Sequence, residues 1–196
     1  MTPIDELWKN LKFVSNPGAL TDQEKSVLLR ILQEECLQRQ RRRIQYLLVR
    51  SGIKRIKRLE DFDWKINPKL PKEAFMDFVK SPWIKQSRNL VLVGPAGVGK
   101  THLATSLCYQ GIQDAESTVF ISCFDLVGKL KSSRNKHSII QYYSSVRVLC
   151  LDELGYVFPS PEEANDIFQI ISKRSEIAST IITTNLDYEE WYGFLG

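Results

Sequence analysis

The residues most able to do chemistry form a glycine-rich octapeptide, Gly94–Thr101, that fits the pattern G-x-x-x-x-G-K-[ST]. Glycines allow backbone N–H groups to close around phosphate oxygens, where a Cβ atom would crowd them. Lys100 is expected to reach the β- and γ-phosphates, and the Thr101 hydroxyl to ligate Mg²⁺. The residues predicted to contact the nucleotide are Gly94, Pro95, Ala96, Gly97, Val98, Gly99, Lys100, Thr101 and His102.

The segments on either side of this loop supply the expected structural context. Asn89–Val93 is a short apolar run that indicates a buried parallel strand. His102–Cys108 continues without Gly or Pro, as a helix would, and a helix N-terminus adds partial positive charge beside the phosphates. The sequence therefore predicts a binding site for a nucleoside triphosphate, with ATP and Mg²⁺ as cofactors.

Two acidic residues that suit the same chemistry follow a second apolar run. Val148–Leu151 indicates a buried strand, and Asp152 and Glu153 come directly after it. Ligands of open α/β sheets bind at the carboxyl ends of the strands, and an unpaired buried carboxylate is costly. We expect Asp152 to hold Mg²⁺ through its waters and Glu153 to deprotonate the attacking water, while Lys100 stabilises charge on the transferred phosphoryl group.

Two further strands complete the predicted fold. Residues 117–122 and 179–184 have strand composition, and Asn185 ends the second of them. An Asn after a strand is usually a turn residue, but this amide could also reach the γ-phosphate or the attacking water. Alternating strands and helices favour a doubly wound parallel sheet, the α/β class of P-loop nucleotide-binding proteins.

Composition limits the class of protein. The chain has 196 residues, 43% hydrophobic and 26% charged, enough for one sizeable domain with a smaller appendage. No apolar stretch approaches the ~20 residues of a membrane span, and the first residues do not resemble a signal peptide. The four cysteines are scattered and apolar-flanked, as expected of reduced core thiols in a cytoplasmic protein without a membrane partner.

Positive charge is concentrated near the N-terminus. Residues 30–58 contain ten basic and two acidic residues, a net charge of +8, so the remainder carries −4 of the total +4. Such asymmetry indicates a nucleic-acid-binding element that contacts phosphates, although a charged face is often simply solvated. The predicted DNA contacts are Arg39, Arg41, Arg42, Arg43, Arg50, Lys54, Arg55, Lys57 and Arg58.

Turn residues and helix-start signals divide the chain into three predicted parts. Pro17-Gly18 indicates a turn, and Thr21 with Glu24 forms a capping box that starts a helix over residues 22–50. We predict a basic helical segment over residues 1–58, a linker over 59–88 with a short helix near 72–80, and an ATP-binding core over 89–196. The linker aromatics either pack in the core or form a wall of the adenine pocket.

These motifs together resemble the AAA+ ATPases of the IstB/DnaC type, from about Leu32 to the C-terminus. The likeness is nearer to IstB, the ATPase helper of insertion-sequence transposases, than to the DnaC helicase loader. It implies a strand order 5-1-4-3-2, which places Asn185 beside Glu153 as a γ-phosphate sensor. It also implies ATP-dependent homo-oligomers on double-stranded DNA and a transposase partner, the alternative partner being a replicative helicase. The matching segments are 59–63, 94–104, 151–156, 163–165, 168–169, 171–172, 179–180, 183–185 and Trp191.

Two departures from that family affect the expected activity. Arg174–Ala178 differs from the family's turn before the fourth strand, and the family's arginine finger, fifth strand and lid are absent after Asn185. Lys173 and Arg174 could serve a neighbouring subunit only in an arrangement unlike the family's. We therefore expect weak ATP turnover. A P-loop kinase, a metabolic ATPase, and a truncated chain that binds ATP and DNA without hydrolysis remain alternatives.

Overall fold

The computed structural model describes residues 3–12, 20–68, 70–156 and 159–191. It divides into two compact units, residues 1–46 and 47–196. The predicted Pro17-Gly18 turn and the residues after Trp191 lie outside the described residues.

The first unit is helical. It contains α1 (Pro3–Asn10) and most of α2 (Asp22–Arg50), and its small core includes Ile4, Leu11 and Leu32. The predicted capping box is present, because the Thr21 N–H donates to Glu24 Oε2 at 2.8 Å and the Glu24 N–H donates to Thr21 Oγ1 at 3.4 Å. Neither α2, which has 29 residues, nor any other described helix is long and apolar enough to cross a membrane.

The second unit is an α/β domain, and its elements follow the predicted alternation of strands and helices. The predicted helix over residues 72–80 and all four predicted strands are present. The elements are α3 (Lys72–Lys80), β1 (Leu90–Val93), α4 (Lys100–Gln113), β2 (Thr118–Ser122), α5 (Cys123–Ser132), α6 (Lys136–Ser145), β3 (Val148–Leu154), α7 (Pro161–Arg174), β4 (Ser179–Thr184) and a 3₁₀ turn (Tyr188–Glu190).

The four strands form one parallel sheet in the order β1-β4-β3-β2. This is the order expected from the family resemblance, with β1 at the edge where a fifth strand would pair. Parallel strands place all their carboxyl ends at one side of the sheet. The ends of β1, β3 and β4 therefore meet where the predicted nucleotide site lies.

The central strand β3 is covered on both faces, which explains its uninterrupted apolar sequence. Alternate side chains enter two separate cores. Leu149 and Leu151 pack with α5, α6 and α7, whereas Val148 and Cys150 pack with α3, α4 and the linker. These residues are fully buried, so the sheet is a rigid platform for the polar residues at its edge.

The two edges of the described sheet differ. On β1, Val91 and Val93 are 41% and 48% exposed, as expected of an edge strand. On β2, the Phe120 N–H donates to the carbonyl oxygen of Ser51 at 2.6 Å, so the chain that follows α2 covers that edge. Gly52 is required there, because a Cβ atom on it would lie 2.4 Å from the Phe120 carbonyl oxygen.

Arg174 is a buried structural residue, so the conditional role in a neighbouring subunit that the sequence left open does not apply to it. It is 0% exposed. Its guanidinium donates to the carbonyl oxygens of Tyr143 (2.8 Å) and Val146 (2.7 Å) and to Thr180 Oγ1 (3.0 Å). Burial, and secondarily the charge of Arg147, lower the pKa of Arg174 to about 10. Arg174 therefore joins α6 to β4 and cannot reach a nucleotide outside its own subunit.

Candidate nucleotide-binding site

The loop between β1 and α4 has the backbone geometry of a phosphate cradle. Gly97 and Gly99 have φ values of +83° and +90°, in the left-handed region that glycine adopts without strain. Gly99 directly precedes the first turn of α4, whose unpaired N–H groups and positive dipole end favour an anion. The Gly94 N–H donates to the Thr184 carbonyl oxygen at 3.2 Å, which attaches the start of the loop to β4.

Lys100, which is predicted to bind the phosphates, lies against the phosphate loop. Its Nζ donates to the carbonyl oxygens of Gly94 (2.6 Å) and Pro95 (2.7 Å). Burial lowers the pKa of Lys100, and the negative charges of Asp152 and Glu153 act in the opposite direction. Phosphate oxygens would compete with the two carbonyls for this ammonium, and they would win because charged acceptors make the stronger hydrogen bonds.

Asp152 is buried, and two hydroxyl groups hold its carboxylate. Oδ1 accepts from Thr101 Oγ1 at 3.0 Å and from Thr183 Oγ1 at 2.6 Å. The described residues place no hydrogen-bond donor on Oδ2. Carboxylate and hydroxyl oxygens are ligands that Mg²⁺ accepts beside substrate phosphates. The donor set of Thr101 and Asp152 therefore fits the predicted metal.

Asp152 and Glu153 lie on a bulge in β3. The pairing with β4 moves from Leu151 opposite Ile182 to Leu154 opposite Thr184, so the two acids together face the single residue between those partners. Such bulges redirect side chains and are common beside active sites. Glu153 has a φ of +59°. Side chains of a regular strand alternate between faces, and the bulge interrupts that alternation at the pair of acids.

One cavity is lined by predicted site residues from three separate segments of the sequence. Its lining includes Gly97, Lys100, Thr101, Glu153 and Asn185. Glu153 and Asn185 are exposed to this space, whereas Asp152 is buried beside it. The structure therefore brings together the phosphate loop, an exposed carboxylate and an exposed amide. Thr183 and Tyr156 also line the cavity.

The linker packs against the phosphate loop and the start of α4. His102 Nε2 lies 2.8 Å from the Arg58 carbonyl oxygen, which makes this ring nitrogen the protonated one. The His102 ring meets Phe62 edge to face, with centroids 5.2 Å apart. Phe62 is itself buried, so this linker aromatic packs in the core, one of the two roles open from the sequence.

The basic residues that were predicted to contact DNA lie in two places. Arg39, Arg41, Arg42 and Arg43 are exposed on α2, and Arg39 forms an ion pair of 2.6 Å with Glu35. Exposed ion pairs of this kind are weak, so the pair does not prevent Arg39 from binding an anionic partner.

The remaining basic residues lie on or directly after the end of α2. Four of them, Arg50, Lys54, Arg55 and Lys57, line a cleft of about 970 Å³. We call this feature the basic cleft. It is also lined by Phe124, which is 66% exposed.

The basic cleft reaches the nucleotide site. Thr101 and Asp152 line it on that side, and Lys129 and Tyr142 line it on the side of α5 and α6. Cationic and aromatic side chains in one cleft are the combination that binds nucleic-acid backbones and bases. The described residues thus contain a nucleotide cavity and an adjoining cationic cleft.

Three features of the site were not predicted from the sequence. Thr183 is hydrogen-bonded to both acids, Tyr156 lines the cavity, and Phe62 lies against the loop. All three depend on contacts between distant segments. One signal was available for Thr183. It is a hydroxyl residue near the end of the strand that the family resemblance places beside Asp152 and Glu153.

A parallel β1-β4-β3-β2 sheet, with a phosphate loop after β1 and acids on β3, defines the class of P-loop ATP-binding proteins with the AAA+ strand order. Comparison with known families gives the narrower assignment. The chain matches the family described as IstB-like ATP binding protein over residues 11–196. This chain belongs to that family and is an ATP-binding protein.

Individual relatives agree with this assignment. The chain is 34% identical over 167 residues to the ATP-binding protein of insertion sequence IS232 from Bacillus thuringiensis subsp. berliner, covering 84% of this chain and 67% of the relative. It is 31% identical to the ATP-binding protein of insertion sequence IS5376 from Geobacillus stearothermophilus, covering 86% of this chain and 68% of the relative. The crystal structure of the DnaC helicase loader is similar with a TM-score of 0.54 and 28% identity, covering 63% of this chain and 77% of that one.

Proposed function

We propose that this protein is a magnesium-dependent ATPase that assembles on double-stranded DNA and assists a transposase. The observation that carries the ATPase part is the convergence of Lys100, Thr101 and Glu153 on one cavity, with Asp152 buried beside it and hydrogen-bonded to Thr101. Each supplies a function that phosphoryl transfer to water requires, namely charge stabilisation, metal ligation and a base.

The roles follow from the geometry of each side chain. Lys100 turns from the two loop carbonyls to the β- and γ-phosphates, and the N–H groups at the start of α4 hold the remaining oxygens. Thr101 and Asp152 would hold Mg²⁺, which would neutralise charge on the phosphates when bound. Glu153, which is exposed to the cavity, takes the proton of the attacking water. Asn185 orients that water or the γ-phosphate with its amide.

The structure of Arg174 limits one part of this proposal. An arginine finger from a neighbouring subunit contributes about 10³–10⁵ in turnover in comparable nucleotidases. Arg174 is buried against backbone carbonyls and cannot supply that charge to another subunit. In the proposed ATP-dependent homo-oligomer, any such charge must therefore come from a residue other than Arg174.

The DNA part of the proposal is supported by the two basic surfaces. The exposed arginines of α2 and the basic cleft offer cations along a continuous stretch of chain, from residue 39 to residue 58. Cations that contact phosphates bind DNA with little sequence preference and release counterions. We propose a cytoplasmic location, supported by four cysteines that carry no disulfide in the described structure.

The transposase is proposed as partner because the relatives named above are insertion-sequence proteins. A second candidate, a replicative helicase, is favoured by the structural similarity to the DnaC helicase loader. The two candidates share the ATP site and differ in the protein that is bound. Co-purification with the product of the neighbouring reading frame distinguishes them.

The ATPase proposal is tested by measuring ATP affinity and steady-state hydrolysis, with and without duplex DNA, for the wild-type chain and for Lys100→Ala. Lys80→Ala, which removes an exposed lysine from α3, is the matched control. Loss of a charge-assisted hydrogen bond should weaken ATP binding about tenfold or more in Lys100→Ala. Equal affinity of the two variants would show that the loop is not the site.

A further inference from the structure

A single buried hydroxyl group connects the two acids of β3. Thr183 Oγ1 donates to Asp152 Oδ1 at 2.6 Å and accepts from the Glu153 N–H at 2.9 Å. Thr183 is 0% exposed. We propose that Thr183 is a positioning residue that fixes Asp152 for Mg²⁺ and Glu153 for the attacking water. This inference rests on the proposed ATPase function.

The first effect of Thr183 is on the orientation of the Asp152 carboxylate. A separation of 2.6 Å lies in the range of charge-assisted O–H···O⁻ bonds, which are stronger than neutral ones. Thr101 donates to the same oxygen, but Thr101 is exposed and is itself expected to ligate the metal. Thr183 is therefore the partner that keeps Oδ1 in place when Thr101 is engaged elsewhere, which leaves Oδ2 for the metal and its waters.

The second effect is on the backbone of Glu153. Its φ of +59° is uncommon for a residue with a side chain, and the bulge leaves its N–H without a regular ladder partner. Thr183 supplies the missing acceptor. The direction of the Glu153 carboxylate follows from this backbone conformation, so the same hydroxyl controls the base as well as the metal ligand.

Threonine suits this position for chemical reasons. Its hydroxyl can donate one hydrogen bond while accepting another, and its β-branched side chain has few rotamers in a strand. Valine has the same shape and neither function, whereas serine keeps the hydroxyl. Thr180 on the same strand is a matched control, because it is also buried and accepts from Arg174 Nε at 3.0 Å, far from the acids.

The test compares ATP affinity in Mg²⁺ with ATP affinity in EDTA, together with kcat, for four chains: wild type, Thr183→Val, Thr183→Ser and Thr180→Val. Thr183→Val should keep the affinity measured in EDTA and lose about tenfold of the enhancement by Mg²⁺, with a fall in kcat. Thr183→Ser should stay within about threefold of wild type on both measures. Thr180→Val should keep the full enhancement by Mg²⁺.

Three results would overturn the inference: an unchanged Mg²⁺ effect in Thr183→Val, a Thr183→Ser variant as impaired as Thr183→Val, or an equal loss in Thr180→Val. If Thr183→Val does not fold, Thr183→Ala removes the hydroxyl without adding a methyl group and should show the same loss. A wild-type chain that binds Mg·ATP but does not hydrolyse it contradicts the ATPase proposal, while the affinity measurement still tests Thr183. A wild-type chain that gains no affinity from Mg²⁺ overturns both.

Discussion

The ring of Phe62 occupies the space that a side chain on residue 99 would need. A Cβ atom built on Gly99 would lie 2.5 Å from Cε2 and 2.9 Å from Cζ of Phe62. The buried phenyl ring thus supports the last residue of the phosphate loop, and the glycine permits that contact. The linker and the loop therefore depend on each other for their positions.

Gly99→Ala should disturb this contact and the loop together. The new methyl group must displace Phe62, and a φ of +90° is strained for alanine, so we expect a loss of about 1–3 kcal/mol in the free energy of unfolding. ATP affinity should fall as well. Gly128→Ala is the comparison, since no atom lies within 4 Å of its added Cβ; alanine there should stabilise α5 by about 0.5–1 kcal/mol. Denaturant unfolding and ATP titration measure both effects, and equal behaviour of the two variants would contradict the role given to Phe62.

Glu153→Gln should separate binding of ATP from its hydrolysis. The amide has nearly the shape of the carboxylate but cannot take the proton of the water, so turnover should fall by about 10²-fold or more while ATP affinity is kept. Because the bound ATP is not hydrolysed, any ATP-dependent assembly should also last longer. Glu73→Gln on α3 serves as the control for loss of one surface carboxylate. If Glu153→Gln hydrolyses ATP at the wild-type rate, Glu153 is not the base, and Asp152 becomes the candidate.

Salt titrations of DNA binding should distinguish the two basic surfaces. The slope of log affinity against log salt should shrink by about 0.9 for each phosphate contact removed. We expect a smaller slope for the triple variant of Arg41, Arg42 and Arg43 to Ala, and independently for Lys54→Ala with Lys57→Ala in the basic cleft. Lys9→Ala with Lys80→Ala is the control of similar charge change. A surface whose variant keeps the wild-type slope is not part of the DNA interface.

Arg174→Met should destabilise the domain without acting on the nucleotide directly. It removes hydrogen bonds to the carbonyl oxygens of Tyr143 and Val146 and leaves these buried acceptors unpaired, which should cost about 2–4 kcal/mol of unfolding free energy. Lys173→Met, one residue earlier and exposed, should change stability by less than about 0.5 kcal/mol. Thermal or denaturant unfolding measures the free energy of unfolding of both variants. An Arg174→Met chain as stable as wild type would show that the contacts of Arg174 are dispensable.

Much of the fold was predictable because its signals are local. The phosphate loop, the apolar strands and the capping box at Thr21 each depend on neighbouring residues, and each is present. The strand order came from family resemblance, since nothing in a single strand specifies its neighbour. The bulge at Asp152 and Glu153 could not be predicted, because it is a mismatch of register between β3 and β4. The support of Gly99 by Phe62 likewise joins segments far apart in the chain.

The two edges of the described sheet differ in what an added strand would meet. On β2, the Phe120 N–H already donates to the Ser51 carbonyl oxygen, so a strand that pairs there would have to displace the chain that follows α2. On β1, the exposed side chains of Val91 and Val93 offer an apolar surface to a neighbouring segment. Among the described residues, β1 is therefore the edge at which another strand meets less competition.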